Sequence, residues 1–297
     1  MIAWAVGLAL ALAPTGHELT LVFGGDVALG RVVAGQVRTI GGGAPLGGVA
    51  AVLGAADLVI VNLECALSDA PPAPDGVRLI APTSAARVIA QAGVDVVSLA
   101  NNHALDAGPD GLLATERALA DAGVDAVGAA RRELVREVGG LKVGIVAATD
   151  HVNAAGWRDR GRVAWLPTRA LIDALPERLR RVRAAREADV WIVLLHWGEE
   201  LAASPSEGQR ALARALVDAG ATLVVGHGAH VVQEAETRGA GAIVYNLGNL
   251  VFDMEAPATR VGALARVRVG REGVRGLELI PTRAGPDEAP TLAVTPR

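Results

Sequence analysis

From Leu19 onward the apolar and polar positions fall into short blocks that alternate between two periods. Val-, Leu- and Ile-rich runs occupy Leu21–Phe23, Leu58–Leu63, Val94–Leu99, Val124–Val127, Leu141–Ala147, Val190–Leu195 and Thr222–Val225. Uninterrupted β-branched runs of this length read as strands buried on both faces. After the first strand comes a loop around Gly41–Gly43, then a small Ala/Leu helix before Asp57. Helical spacing follows at Ser84–Ala92, Pro109–Ala122, Thr168–Ala188 and Glu207–Ala219, and each of these leads through Gly or Asp into a strand. The repeated βα alternation predicts a mainly parallel sheet. Beyond Val231 the helices stop. Gln233–Thr237, Ala242–Leu247, Gly262–Val269 and Val274–Pro281 read as strands joined by tight Gly turns, which predicts a second, antiparallel sheet against the first. No internal repeat or linker divides residues 19–283, which form one domain. Residues 284–297, rich in Pro and acidic side chains, read as a loosely attached tail.

Composition narrows this picture. Apolar residues make up 51% of the 297 positions but aromatics only 3%, so the core is built from Ala, Val and Leu, helped by 36 glycines. The length suffices for a substantial core. Lys142 is the only lysine, a skew better read as coding bias than as function. A formal net charge of −4 gives no reason to expect nucleic-acid or anionic-membrane binding through bulk electrostatics. The single cysteine, Cys65, excludes an internal disulfide and a Cys-based zinc knuckle. Residues 1–13 are almost wholly apolar and end in Ala11-Leu12-Ala13, too short to span a bilayer. They are read as a degenerate export signal in preference to a simple apolar tail, although the usual basic n-region is lacking. The signal reading places the chain outside the cytoplasm or at the cell envelope; the tail reading leaves it cytoplasmic. No other stretch reads as a transmembrane helix.

The chemistry lies where the apolar runs end. Five of them terminate in residues that bind metals or move protons: Asp26, Glu64, Asn101-Asn102-His103, His196, and His227-Gly228-Ala229-His230. In open α/β sheets the carboxyl ends of strands gather along one edge, where ligands sit. Singly, each has an ordinary explanation: an Asx-turn for Asp26, a solvated loop for Glu64, a core histidine for His196. Jointly they favour a divalent-metal site, with imidazoles suited to Zn, Mn or Fe and an amide oxygen suited to hard or borderline ions. His103, beside that amide, is a candidate proton donor. Asp106 either orients that imidazole or caps the helix near Pro109, with equal weight. Arg31 offers a bidentate anion contact or a surface salt bridge, and Glu200 either orients a ligand or faces water. Cys65 reads as a small buried thiol, and His17 and His151 as structural or exposed. The Gly41–Gly43 and Gly47-Gly48 cluster lacks the Gly-Lys-Ser/Thr of a phosphate loop and reads as a flexible loop. No Gly-x-Ser-x-Gly elbow is present.

With these residues laid out, the chain resembles the CapA family of capsule and poly-γ-glutamate synthesis proteins. The resemblance runs from about Leu19 to about Asp253. It rests on Gly25-Asp26-x-x-Leu29-Gly30-Arg31, Asn62-Leu63-Glu64, Ser98-Leu99-Ala100-Asn101-Asn102-His103-x-x-Asp106-x-Gly108, His196-Trp197-Gly198-x-Glu200, Gly226-His227-x-x-His230-Val231 and Tyr245-x-Leu247-Gly248-Asn249. It implies a four-layer α/β/β/α sandwich of the metallo-dependent, calcineurin-like phosphatase type. Two divalent cations (Mn, Zn or Fe) are implied, held by Asp26, Glu64, Asn102, His196, His227 and His230 with Glu64 bridging. His103 with Asp106 is implied as the acid, and Arg31, Asn101, Glu200 and Asn249 as substrate contacts. The implied partners are a polymer or small anionic substrate and envelope polymer-synthesis proteins. Two departures stand out. Ala28 occupies the position of the histidine in the usual Asp-x-His, and the closing motif is His-x-x-His where metallophosphatases carry His-x-His. A metal-dependent hydrolase and a non-catalytic scaffold that binds polymer or partner proteins are therefore both carried forward.

Overall fold

The computed structural model describes residues 17–39, 44–70, 78–129, 132–153, 162–185, 188–285 and 289–292. The apolar segment 1–13 and the Gly41–Gly43 loop lie outside these residues. In chain order the elements are β1 (Leu19–Val27), α1 (Arg31–Thr39), α2 (Ala50–Leu53), β2 (Leu58–Leu63), β3 (Ala66–Leu67), β4 (Ile80–Ala81), α3 (Ala85–Gln91), β5 (Val96–Ser98), α4 (Gly108–Asp121) and β6 (Asp125–Val127). They continue as β7 (Glu133–Val138), β8 (Leu141–Thr149), α5 (Thr168–Ala185), β9 (Val190–His196), α6 (Glu207–Asp218), β10 (Leu223–His227), β11 (Ala235–Arg238) and β12 (Gly241–Val244). The last four are β13 (Asn249–Val251), β14 (Val261–Gly270), β15 (Gly273–Ala284) and β16 (Pro290–Leu292).

Two sheets face each other. The first runs β16-β15-β14-β1-β2-β5-β6, with β13 added beside the end of β1; the second runs β11-β12-β10-β9-β8-β7. Strict alternation along each strand explains why they stack. Leu21 and Phe23 of β1, Leu58 and Ile60 of β2, Ile192 and Leu194 of β9, and Leu223 and Val225 of β10 all enter one shared core between the sheets. The intervening Val22, Val59 and Val61 pack outward on α1–α4. Trp191, Val193, Leu195 and Val224 pack outward on α5 and α6. Every residue of β1, β2, β9 and β10 but Thr20 is buried, so the runs without polar interruption are strands between two apolar layers. The result is an α/β/β/α sandwich.

Three expectations are corrected. The strands after Val231 do not make a sheet of their own. β11 and β12 extend the second sheet, and β14 to β16 extend the first by antiparallel pairing to β1. The second sheet is therefore a parallel centre with antiparallel strands at both edges, and the first carries them at one edge, its other edge strand β6 pairing parallel with β5. The Gly47-Gly48 stretch is not a flexible loop: Ala44–Val49 winds as a 3-10 helix. A Cβ on Gly48 would lie 2.2 Å from the Pro290 carbonyl oxygen, so the glycine admits close approach of β16. Within the segment read as a loose tail, Pro290–Leu292 pairs with β15. Helix α1 and strand β7 were not anticipated; Glu133–Val138 forms a hairpin with β8 across Gly139-Gly140.

Candidate metal centre

The inward parity of the strands carries directly into the site. Asn62 follows Leu58 and Ile60, His196 follows Ile192 and Leu194, and His227 follows Leu223 and Val225, each two residues on and therefore on the same inner face. His227 and His196 are register partners on adjacent strands, so the two imidazoles start side by side. Asp26 would fall on the outer face with Val22 if β1 were regular. The pairing shifts instead between Phe23↔Ile60 and Asp26↔Asn62, three residues of β1 against two of β2. That bulge turns Asp26 to the face of Asn62. Gly24 and Gly25 make it possible: a Cβ on Gly25 would lie 2.0 Å from the Gly248 carbonyl oxygen, which itself accepts from the Asp26 N–H at 3.0 Å.

Donor atoms of Asp26, Glu64 and His196 all lie within 4.8 Å of one another, and all three side chains are buried. Asn62 is the hub. Its Nδ2 reaches Asp26 Oδ1 at 2.8 Å, Glu64 Oε2 at 3.3 Å and His196 Nδ1 at 3.3 Å. His230 adjoins both carboxylates, with Nδ1 3.3 Å from Asp26 Oδ2 and Nε2 3.7 Å from Glu64 Oε1. Its backbone is left-handed, φ 58, a conformation that costs a non-glycine residue of order 1 kcal/mol or more and is found where function fixes it. Phe252 packs edge-on against the ring. His227 places Nε2 3.2 Å from the Gly24 carbonyl oxygen. Gly228, φ 97, lies against the His196 ring, where a Cβ would come within 2.9 Å of Nε2.

A second group joins this one through hydrogen bonds. Asn101 donates to Asn62 Oδ1 (3.1 Å) and to the Leu63 carbonyl (2.8 Å), and accepts from the His103 N–H (3.1 Å). Its side chain is thus spent on holding β2 to the His103 turn. His103 Nδ1 lies 2.6 Å from Asp106 Oδ2, which also accepts from the Leu79 N–H at 2.6 Å. Asp106 does not cap α4, whose N-cap is Ala107 without a side-chain bond. Asn153 closes the group, 3.4 Å from His103 Nε2 by Nδ2 and 3.4 Å from Asn102 Nδ2 by Oδ1. Asn249 Oδ1 lies 2.9 Å from His230 Nδ1, and its Nδ2 donates to the Thr259 carbonyl, so it orients the imidazole. Arg31 is engaged by Asp253 through Nε and Nη2, and a substrate anion has to displace that pair. Glu200 is exposed, near enough for its charge to act on Glu64 and His151.

Asn62 and Asn153 received no role from sequence reading. Asn62 had a signal, since it continues the inward parity of β2. Asn153 had none, because it lies in an irregular loop after β8.

Burial and charge pull the titrating groups apart. Burial alone would raise Asp26, but its hydrogen bond to His230 and the charges of His230, His227 and His196 hold the carboxyl far below its usual range. Burial raises Glu64 well above the usual carboxylate value, against the opposing pull of His230. Burial likewise depresses His196 strongly and His227 less so, which favours the neutral, metal-binding imidazole. Burial would lower His230 too, but Glu64 and Asp26 raise it to about 10. Cys65, the neighbour of Glu64, is pushed up to about 12 by burial, so it is an inert thiol.

The donor set fits a divalent cation. Asn102 Oδ1 is buried without a hydrogen-bond partner, and Glu64 Oε1 has no hydrogen bond and only the His230 Nε2 contact at 3.7 Å; buried oxygens so placed are costly unless something positive meets them. Carboxylate, amide and imidazole donors together suit Mn, Zn or Fe. A pH effect follows. With no cation bound, the raised His230 stabilises the fold fully below about pH 6.5, and that contribution is lost as pH rises through about 10. A cation at Asp26 and Glu64 competes with this proton, so metal binding at about pH 8 releases protons and tightens as pH rises. Calorimetry in two buffers of unlike ionisation enthalpy will give different apparent heats; identical heats would contradict the linkage.

Comparison with known proteins places both family and fold. The family model described as "Bacterial capsule synthesis protein PGA_cap" matches residues 20–254. The chain is 32% identical over 288 residues to the capsule biosynthesis protein CapA of Bacillus anthracis, covering 91% of this chain and 70% of that protein. It is 30% identical over 275 residues to the PGA biosynthesis protein CapA of Bacillus subtilis, covering 89% and 71%. Among solved structures, a phosphatase from Mycoplasma pneumoniae superposes with TM-score 0.59 at 16% identity, over 90% of this chain and 94% of that one. The calcineurin-like phosphoesterase YfkN of Bacillus subtilis gives 0.53 at 12% identity, over 90% and 91%. At these identities the solved structures establish the fold, which is that of the metallophosphatases.

Proposed function

The chain belongs to the bacterial capsule synthesis protein family, and from that membership we propose that it is a metal-dependent hydrolase of capsule or poly-γ-glutamate metabolism at the cell envelope. The observation that carries this reading is the convergence of Asp26, Glu64 and His196 donor atoms within 4.8 Å, joined through Asn62 and Asn101 to His103. Asp26, Glu64, Asn102, His196, His227 and His230 would hold two divalent ions. Such ions would lower the pKa of water and offset the charge that develops in hydrolysis. The chain's own residues do the rest. Asp106 fixes Nδ1 of His103, so Nε2 is the atom that exchanges protons, and in its charged form the imidazole gives that proton to the departing oxygen or nitrogen. Asn62 Nδ2 donates to Asp26 Oδ1 and Glu64 Oε2 and lies beside His196 Nδ1, which limits the reorganisation needed when substrate arrives.

The substrate is a phosphoester or a γ-glutamyl-type amide. Metal-loaded protein should hydrolyse one class and lose the activity on chelation. Screening chromogenic phosphoesters beside γ-glutamyl amides decides between them. Failure on both, with metal shown to be bound, would transfer the case to the second reading. That reading is a metallophosphatase-fold scaffold binding polymer or partner proteins of a capsule-synthesis assembly. Ala28 favours it, since a buried methyl stands where the related phosphatases place an imidazole.

A further inference from the structure

At the opposite ends of the same strands lies a second cavity, of about 730 Å³, lined by Lys142, Arg180, Arg183 and Arg271 with Glu137 and Asp189. Lys142 is the second residue of β8 and Asp189 immediately precedes β9, whereas the metal centre sits where these strands end. At roughly 3.3 Å per residue the two places are about 20 Å apart. The volume lies within the range of ligand sites, roughly 300–1,000 Å³. Among the described residues, four cations against two anions line it, in a chain whose net charge is −4.

Asp189 is fully used, one oxygen taking Arg271 and the other the Lys142 N–H, so it fixes Arg271 at the rim. Arg183 spends one Nη1 contact on the Ala219 carbonyl, and a guanidinium has five donors. Among the described residues Arg180 meets Glu177, at 3.4 Å on an exposed helix face, a pair of little strength. Arg180 and Arg183 are one turn apart on α5, and their planar forks match carboxylates bidentately. Arg178 and Arg181 line a smaller hollow with Glu133 on the other flank of that helix. Glu137 and Asp189, interspersed among the cations, disfavour a ligand of dense double charges and suit one whose single charges are spaced.

We propose that this cleft is a second binding site, one that holds a polycarboxylate chain remote from the metal centre. It stands independently of the hydrolase reading. Binding of fluorescently labelled poly-γ-glutamate is to be followed by anisotropy at low salt, on full-length protein. Wild type binds, and affinity falls as salt rises. Arg180→Glu weakens binding about 10-fold or more, and adding Arg271→Gln weakens it further. Arg169→Glu makes the same charge change on α5, outside the cleft, and shifts affinity less than about 2-fold. Chelated protein retains binding that Arg180→Glu still weakens, which separates failure here from failure at the metal centre. Equal losses in Arg169→Glu and Arg180→Glu, or no binding by wild type, would overturn the site. Tighter binding of duplex DNA of matched charge would overturn the choice of ligand. Thermal unfolding of Arg180→Glu, whose side chain is exposed, checks that the fold survives.

Discussion

Protein purified without chelator should carry about two equivalents of divalent metal, and His196→Ala should lose most of it. The size of the loss follows from the position of this side chain. His196 supplies one of three buried donors that converge within 4.8 Å, and its Nδ1 faces the same Asn62 amide that binds Asp26 and Glu64. Outer partners of metal ligands commonly cost 10–100-fold in affinity when removed, so loss of a ligand should cost at least about 100-fold. His227→Ala offers a contrast. Its Nε2 faces the Gly24 carbonyl, and a smaller loss there would show that the main-chain contact persists with metal bound. Elemental analysis of wild type and both variants reads this directly. One equivalent in wild type would mean that Ala28 has cost a position. None, even after reconstitution, would exclude the hydrolase and leave the scaffold.

Much of this site was legible before any coordinates. Buried strands announce themselves by apolar runs, and the residue that ends each run lies at the sheet's carboxyl edge by topology alone. His196 and Glu64 were legible for that reason. What strand periodicity does not give is the face. Asp26 counts to the wrong side of β1, and only the bulge at Gly24-Gly25 returns it to Asn62; a glycine pair inside a strand is a weak pointer to such a bulge. The assignment of late strands to sheets was also beyond local reading. Hairpins such as β11–β12 and β14–β15 carry the same alternation whichever free edge they join, so the choice rests on long-range pairing. Asn249, Arg31 and Asn153 illustrate the same limit for side chains. Their partners, His230, Asp253 and His103, lie between 19 and 222 residues away, and no pattern in sequence connects them. The pairing of an amide with a neighbouring imidazole suggested the roles of Asn102 and His103, and the family resemblance singled out Asn102 of the two asparagines, whereas the contact of Asp106 with the imidazole, as opposed to the helix end, needed the fold.

His103→Ala separates catalysis from scaffolding, because among the described residues no hydrogen bond or ion pair joins the His103 side chain to Asp26, Glu64 or His196. Its ring meets Asp106 on one side and Asn153 on the other, and the backbone N–H that anchors the turn to Asn101 survives the substitution. Metal content should therefore stay at the wild-type level. Hydrolysis of whichever ester or amide the wild type cleaves should fall by about 10²–10⁴-fold, the range for loss of a positioned proton donor, and mostly in kcat, since the proton moves only in the transition state. A leaving group acidic enough to depart unprotonated should be spared much of that loss, which a merely structural defect would not allow. In cells that make the polymer, the variant at normal protein level should fail to support production. Undiminished production with metal still bound would mean that the imidazole is idle and that the fold serves polymer synthesis by binding alone. The Asp106 contact makes that outcome chemically wasteful: a carboxylate buried beside an imidazole at 2.6 Å carries a desolvation cost that packing at a scaffold site does not require.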